Sequence, residues 1–420
     1  MNYYEEYLKK VFQYIKTFLK WFILSVVVGA FGGAAGVLFH FAVDYVTEFR
    51  GEHSFMIYFL PVGGLMIAAL YRLFSSRGRI DTNRVMEAVR GDRNIPFVMV
   101  PLIFISTVIT HLFGGSAGRE GAALQIGGGI GYNFGKLLKL DSDSVHIITM
   151  AGMSSVFAAL FGTPVTAAVF ALEVVKVGVL NYTGFLACVT ASATAFYISV
   201  VSGVSPIRFD NVLIPSLTPS ILIKVIILAA LCAVLSIIFC ASIEKCEAVM
   251  DKLIHNCYVR AAVGAGIIII LTLAVNTYDY NGAGMHVITR AISGEARYWD
   301  FILKIIFTAV TISAGFKGGE IVPTLFIGST FGCIMASVLG MDAGFAAAIG
   351  MVALFCGVVN CPVASIFLAV EIFGAEGILL FGIACAVSYI MSGHSGLYKS
   401  QMIVYSKLTA EYTEEKGDVN

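Results

Sequence analysis

Glu120 and Glu320 stand 200 positions apart (320 − 120) in similar glycine-rich settings. The first lies in Gly114-Gly115-Ser116-Ala117-Gly118-Arg119-Glu120-Gly121, the second in Gly315-Phe316-Lys317-Gly318-Gly319-Glu320-Ile321-Val322-Pro323. An apolar run follows each, so each carboxylate falls at the start of a helix. Free N–H groups and the positive dipole end at that place attract a carboxylate or a small anion alike. A carboxylate that fills an anion site when charged, and leaves it when protonated, links anion movement to proton movement. The structural alternatives are an ion pair between Glu120 and Arg119, and a boundary role for Glu320 beside Lys317. Adjacent helix positions do not face each other, which weakens the first. His111, Ser116 and Glu120 could serve an intramembrane hydrolase, but no Gly-x-Ser-x-Gly motif accompanies them.

Composition sets the solvent in which such carboxylates must sit. Of 420 residues, 58% are hydrophobic and 13% charged, against about 25% charged in soluble domains. The mean hydropathy is +0.87. A glutamate at the centre of a membrane helix costs about 2.5–3.5 kcal/mol on insertion scales, so it needs a partner or a function. The net charge of +0 gives no reason to expect nucleic acid. The nine cysteines form no Cys-x-x-Cys pair and read as small packing residues. No metal, disulfide framework or cofactor is expected.

The elements that must hold the glutamates follow from hydrophobic runs and their interruptions. Residues 1–20 mix Tyr, Leu, Phe and Ile with Lys and Glu, which suits an interfacial helix. No signal-peptide pattern precedes the apolar span from Trp21 to about Val46, and a second span covers about Phe55–Phe74. A basic loop then carries Arg72, Arg77, Arg79, Arg84, Arg90 and Arg93, and Lys9, Lys10, Lys16 and Lys20 precede the first span. The positive-inside rule puts the N-terminus and this loop in the cytoplasm of a multi-pass inner-membrane protein. Beyond Pro96 glycine clusters interrupt the apolar runs, and several are too short to cross about 30 Å of hydrocarbon. Broken helices in corresponding places of two halves are the mark of a repeat transporter. Pro164…Glu173 matches Pro362…Glu371, with proline opening and glutamate nine residues on in both. The halves span about 21–202 and 216–398. Residues 399–420 form a short polar helix or tail, cytoplasmic and too short for a regulatory CBS domain.

At these residues the chain resembles the CLC family of chloride channels and anion/proton antiporters, over about residues 3–412. The family's Gly-Lys/Arg-Glu-Gly-Pro motif is similar to Gly118-Arg119-Glu120-Gly121-Ala122, with Ala in place of Pro. The Gly-x-Phe-x-Pro stretch is similar to Gly319-Glu320-Ile321-Val322-Pro323, and the central tyrosine, which begins the last helix of the family, matches Tyr398. The resemblance implies an all-α membrane protein of about eighteen helices, an inverted repeat with broken or re-entrant helices, and a homodimer. It makes Glu120 the gating glutamate and proton carrier.

Three departures point to one branch. Asp81-Thr82-Asn83-Arg84-Val85 stands where the family has Gly-Ser-Gly-Ile-Pro; Val174 stands where chloride antiporters carry an internal proton-transfer glutamate; Glu320 stands where they have an apolar residue. All three resemble the fluoride-exporting CLC-F proteins, where a second glutamate in this stretch serves transport. The resemblance thus implies a fluoride/proton antiporter in which Glu320 is the second carboxylate, Tyr398 the central anion ligand, and Thr82 and Asn83 line the anion path from the cytoplasm. Gly118, Arg119, Gly121, Gly319, Ile321 and Val322 belong to the same path. The alternative within the family is a chloride/proton antiporter or a passive chloride channel. Fluoride is a strong hydrogen-bond acceptor, so a protonated carboxyl or a tyrosine hydroxyl suits it.

Overall fold

The computed structural model describes residues 2–74, 81–209, 212–407 and 412–416. Arg77 and Arg79 of the basic loop lie outside them. The described residues hold sixteen α-helices, eight to each half. The first half contains α1 (Asn2–Glu52), α2 (Leu60–Phe74), α3 (Thr82–Arg90), α4 (Met99–Phe113), α5 (Glu120–Leu137), α6 (Ser142–Phe161), α7 (Pro164–Glu173) and α8 (Phe185–Val201). The second contains α9 (Pro219–Leu253), α10 (Cys257–Val275), α11 (Met285–Ile292), α12 (Asp300–Ser313), α13 (Ile321–Leu339), α14 (Ala343–Val359), α15 (Pro362–Phe373) and α16 (Ile378–Met391). Three short 3-10 turns, Ser54–Phe59, Tyr182–Gly184 and Ala375–Gly377, bring the helical segments close to the number expected. Among the described residues, seven helical stretches are long and apolar enough to cross a membrane.

The halves meet through reciprocal contacts between α7 and α15. The carboxylate of Glu173, ending α7, accepts from the N–H groups of Val363 (3.1 Å) and Ala364 (2.8 Å) at the start of α15. Glu371 in α15 accepts from those of Val165 (2.9 Å) and Thr166 (2.8 Å) at the start of α7. The end of each helix caps the beginning of the other, so α7 and α15 run in opposite directions. Proline opens both, where its missing N–H costs nothing. The capping carboxylates satisfy orphan N–H groups and complement the positive helix end.

Glycine lets the helices of each half approach closely. A Cβ on Gly127 of α5 would lie 2.2 Å from the Gly152 carbonyl of α6, and one on Gly328 of α13 would lie 2.4 Å from the Gly350 carbonyl of α14. Backbone-to-backbone packing of this kind is the membrane solution to helix association. Seven of the nine cysteines are buried.

Three local expectations are corrected. No break separates the N-terminal interfacial helix from the first span: α1 runs 51 residues without interruption. Residues 2–20 contain neither proline nor glycine, so nothing stops the helix. The basic loop includes the amphipathic helix α3, capped by Asp81, whose side chain accepts from the Arg84 N–H, and closed by Gly91 at φ 91°. The C-terminal segment is not helical. Strand β2 (Met402–Tyr405) pairs in parallel with β1 (Lys176–Val177) and antiparallel with β3 (Tyr412–Lys416).

Candidate functional site

The two glutamate loops meet at the centre of the molecule. The Gly118 N–H donates to the Gly319 carbonyl and the Gly319 N–H to the Gly118 carbonyl, both at 2.7 Å. This two-residue antiparallel bridge needs glycine on both sides. A Cβ on Gly319 would lie 2.3 Å from the Gly121 nitrogen, and one on Gly118 would lie 2.5 Å from Glu120 Oε2. The expected site residues Gly118, Gly121 and Gly319 therefore supply bare backbone. Ile321 and Val322 are buried in the first turn of α13.

Glu120 is the first residue of α5 and is 3% exposed. Its Oε2 accepts from the Arg119 N–H at 2.8 Å. The Arg119 guanidinium turns away to Asp44 (2.7 Å) and comes only within 3.9 Å of Glu120 Oε1. The ion pair between neighbours is thus a weak one. Glu320 occupies the position just before α13. Its carboxyl reaches toward the other half: a Cβ on Gly121 would lie 3.5 Å from Glu320 Oε2.

A cavity opens on each side of the bridge. One, of ≈ 470 Å³, is lined by Glu320, Tyr398, Thr82 and Asn83 together with Gln125 and Gly318. It extends along Ile67, Ala68, Tyr71 and Arg72 of α2. The other, of ≈ 420 Å³, is lined by Glu120 and Arg119 with Asp44, Arg50, His111 and Asn281. Val43, Thr47 and Gly51 place it at the C-terminal end of α1. Of the expected residues, Thr82, Asn83, Glu320 and Tyr398 line the first cavity and Arg119 and Glu120 the second, whereas Gly118, Gly121, Gly319, Ile321 and Val322 line neither.

Polar groups in the first cavity are held by their neighbours. Thr82 Oγ1 accepts from Gln125 Nε2 at 3.1 Å. Asn83 Oδ1 accepts from the Ser400 N–H at 3.0 Å, and Ser400 Oγ donates to Glu87 at 3.0 Å. Arg90 donates to the Ser400 carbonyl. Helix α3 thus anchors the chain two residues past Tyr398. Gln401 adds bonds to the carbonyls of Val174 and Val359, both 2.9 Å. Tyr398 does not begin a helix, contrary to expectation; it precedes the turn into β2. Its side chain is 4% exposed and its hydroxyl has no hydrogen-bond partner among the described residues.

The hydrolase alternative has no geometry. His111 Nδ1 donates to the Thr107 carbonyl (2.9 Å), and Ser116 Oγ pairs with Thr308 Oγ1 (3.1 Å). Sequence reading missed Arg50, Gln125, Asn281 and Lys304. Lys304 carries the one signal that was available, a lone charge in the apolar run Phe301-Ile302-Leu303-Lys304-Ile305-Ile306-Phe307.

Comparison with known proteins finds similar chains and a similar fold. A family model described as voltage gated chloride channel matches residues 63–393. A "Chloride/fluoride channel protein" of Pseudomonas syringae pv. tomato is 34% identical over 406 residues, covering 94% of this chain and 89% of its own. An "H(+)/Cl(-) exchange transporter ClcA" of Vibrio vulnificus is 25% identical over 390 residues, covering 83% of this chain and 81% of its own. Among solved structures, a CLC-type fluoride/proton antiporter superposes with TM-score 0.87 at 29% identity, covering 91% of this chain and 98% of that one.

Proposed function

The chain belongs to the voltage gated chloride channel family, the CLC proteins, and on that premise we propose that it is a fluoride/proton antiporter that exports fluoride. The observation that carries the reading is the placing of two carboxylates at two helix starts, on either side of one backbone bridge, each in its own cavity. Halide transport is what the family and its relatives share. The preference for fluoride rests on Glu320, on the replacement of the Gly-Ser-Gly-Ile-Pro stretch by residues 81–85, and on the relatives named for fluoride.

Fluoride enters the cavity of Tyr398, Thr82 and Asn83, where hydroxyl and amide donors replace part of its hydration shell. A protonated Glu320 or Glu120 donates a short, charge-assisted hydrogen bond to it. Glu120 is the gate. Deprotonated, it holds the start of α5 against an anion; protonated from the cavity it lines, it yields that place. Each exchange sends an anion one way and a proton the other. The lysines at the beginning of α1 put that end in the cytoplasm, so the Tyr398 cavity faces inward and the Glu120 cavity outward. The functional unit is a homodimer with one pathway per chain.

Reconstituted in liposomes, the protein releases fluoride against a counterflow of protons, and chloride far more slowly. Chloride efflux as fast as fluoride efflux sinks the substrate assignment. Glu120→Gln, a permanent mimic of the protonated gate, abolishes proton coupling; coupled exchange in that variant removes the gate assignment.

A further inference from the structure

Around the outward cavity three cations are unequally matched. Arg119 is paired with Asp44. Arg50 is not: its Nη1 donates to the His111 carbonyl at 2.5 Å, and no described carboxylate lies within ion-pair range. Behind it lies Lys304, 0% exposed. The Lys304 ammonium donates to the carbonyls of Tyr280 (3.2 Å) and Gly282 (2.7 Å) and sits 5.1 Å from the centre of the Phe326 ring. Asp300, one turn earlier on α12, is occupied elsewhere. It accepts from the Tyr280 hydroxyl at 2.5 Å and the Arg297 N–H at 2.9 Å, with Arg290 3.4 Å away.

Gly282 sits between the two unmatched cations. Its carbonyl binds Lys304, and its Cα backs onto Arg50 so closely that a Cβ would lie 2.8 Å from Nη2. The same loop is fixed to the Glu120 loop through the Gly282 N–H to the Gly115 carbonyl (3.0 Å) and Asn281 Nδ2 to the Gly114 carbonyl (2.9 Å). A partly buried arginine and a fully buried lysine are neighbours here, held by carbonyl dipoles and the face of the Phe326 ring, with no described carboxylate in ion-pair range. Such an arrangement lacks its counter-charge, because a buried charge is stable only when paired or well solvated. A cavity of ≈ 420 Å³ with Arg50 in its wall is where that charge fits.

We propose that the outward cavity holds an exported fluoride ion against Arg50, with Lys304 supplying a second positive charge from behind the wall. The identity of the anion rests on the fluoride reading above. Arg50 offers its remaining guanidinium N–H groups as ligands. His111 lines the same cavity, and its buried Nε2 has no partner among the described residues. A water of the ion's own shell satisfies it. The site lies beyond Glu120 and is a waypoint. Fluoride that has passed the gate is held there, which leaves the start of α5 free for the Glu120 carboxylate to return.

Equilibrium binding of sodium fluoride to the purified full-length protein in detergent, read by 19F NMR, tests this without transport. Wild type binds one more fluoride per chain than Arg50→Gln. Lys304→Met, which keeps the side chain's length and leaves Arg50 in place, binds fluoride at the outward site at least tenfold more weakly. Equal numbers and affinities in wild type and both variants overturn the proposal. If Arg50→Gln does not fold, unchanged affinity in Lys304→Met overturns it alone. Arg50-dependent binding of chloride instead of fluoride overturns the ligand. Arg50-dependent fluoride binding in a protein that moves no fluoride across liposomes removes the antiporter reading and leaves the site standing.

Discussion

A buried hydroxyl with nothing to bond costs about 1–3 kcal/mol, yet Tyr398 keeps one beside Glu320. Removing it separates stability from function. Tyr398→Phe deletes an unsatisfied polar atom, so thermal unfolding in detergent is unchanged or shifts upward. Fluoride affinity from the inward side falls about 10–100-fold, the value of one hydrogen bond to a charged group. A loss of stability with transport intact would show that the hydroxyl is a structural donor. At this scale the sequence was informative wherever chemistry was local. Glu120 and Glu320 announced themselves as charges beside glycine in apolar surroundings. Arg50 and Lys304 could not be joined by reading, because they lie on α1 and α12, 254 positions apart (304 − 50), and meet only through Gly282.

Among elements, glycine decides which helices touch. Gly328→Ala in α13 drives a methyl into the Gly350 carbonyl of α14, with a starting separation of 2.4 Å. Both partners are backbone, so the helices must move apart, at about 1–3 kcal/mol for overpacking. A lower unfolding temperature is expected. Gly266→Ala in α10 is the control: no atom lies within 4 Å of the added Cβ, and a helical Gly→Ala exchange is worth up to about 1 kcal/mol in the other direction. Equal unfolding temperatures for the two variants would remove the packing argument. Several apolar helices were legible because proline opens them, as in α7, α9 and α15, or glycine or asparagine ends them, as in α4, α6, α10, α13 and α14. Helix α3 was hidden among arginines, although its caps, Asp81 and Gly91, stood in the sequence. The C-terminal sheet was not legible at all. Its strand β1 is two residues long and finds its partner more than 200 positions away.

For the molecule as a whole, the proposed orientation rests on α1. At about 1.5 Å per residue its 51 residues extend far beyond one bilayer, and its first turns carry Lys9, Lys10 and Lys16. A protease-cleavable tag fused before Asn2 is therefore protected in intact cells and cut in inverted membrane vesicles. Cutting in intact cells reverses the assignment of the two cavities. The inverted relation of the halves was not readable from similar segments alone. It becomes visible only when Glu173 and Glu371 are seen capping each other's helices.

The Gly118–Gly319 bridge also has an electrical meaning. The bridge joins the loop whose Glu320 lines one cavity to the loop whose Glu120 lines the other. Water-filled vestibules carry little of the membrane voltage, so most of the drop falls across this thin partition. A charge crossing it gains or loses about 2.3 kcal/mol per 100 mV according to its direction, over the length of a glutamate side chain rather than the width of a bilayer. One fluoride outward and one proton inward both move positive charge into the cell, so a negative interior drives each half of the exchange.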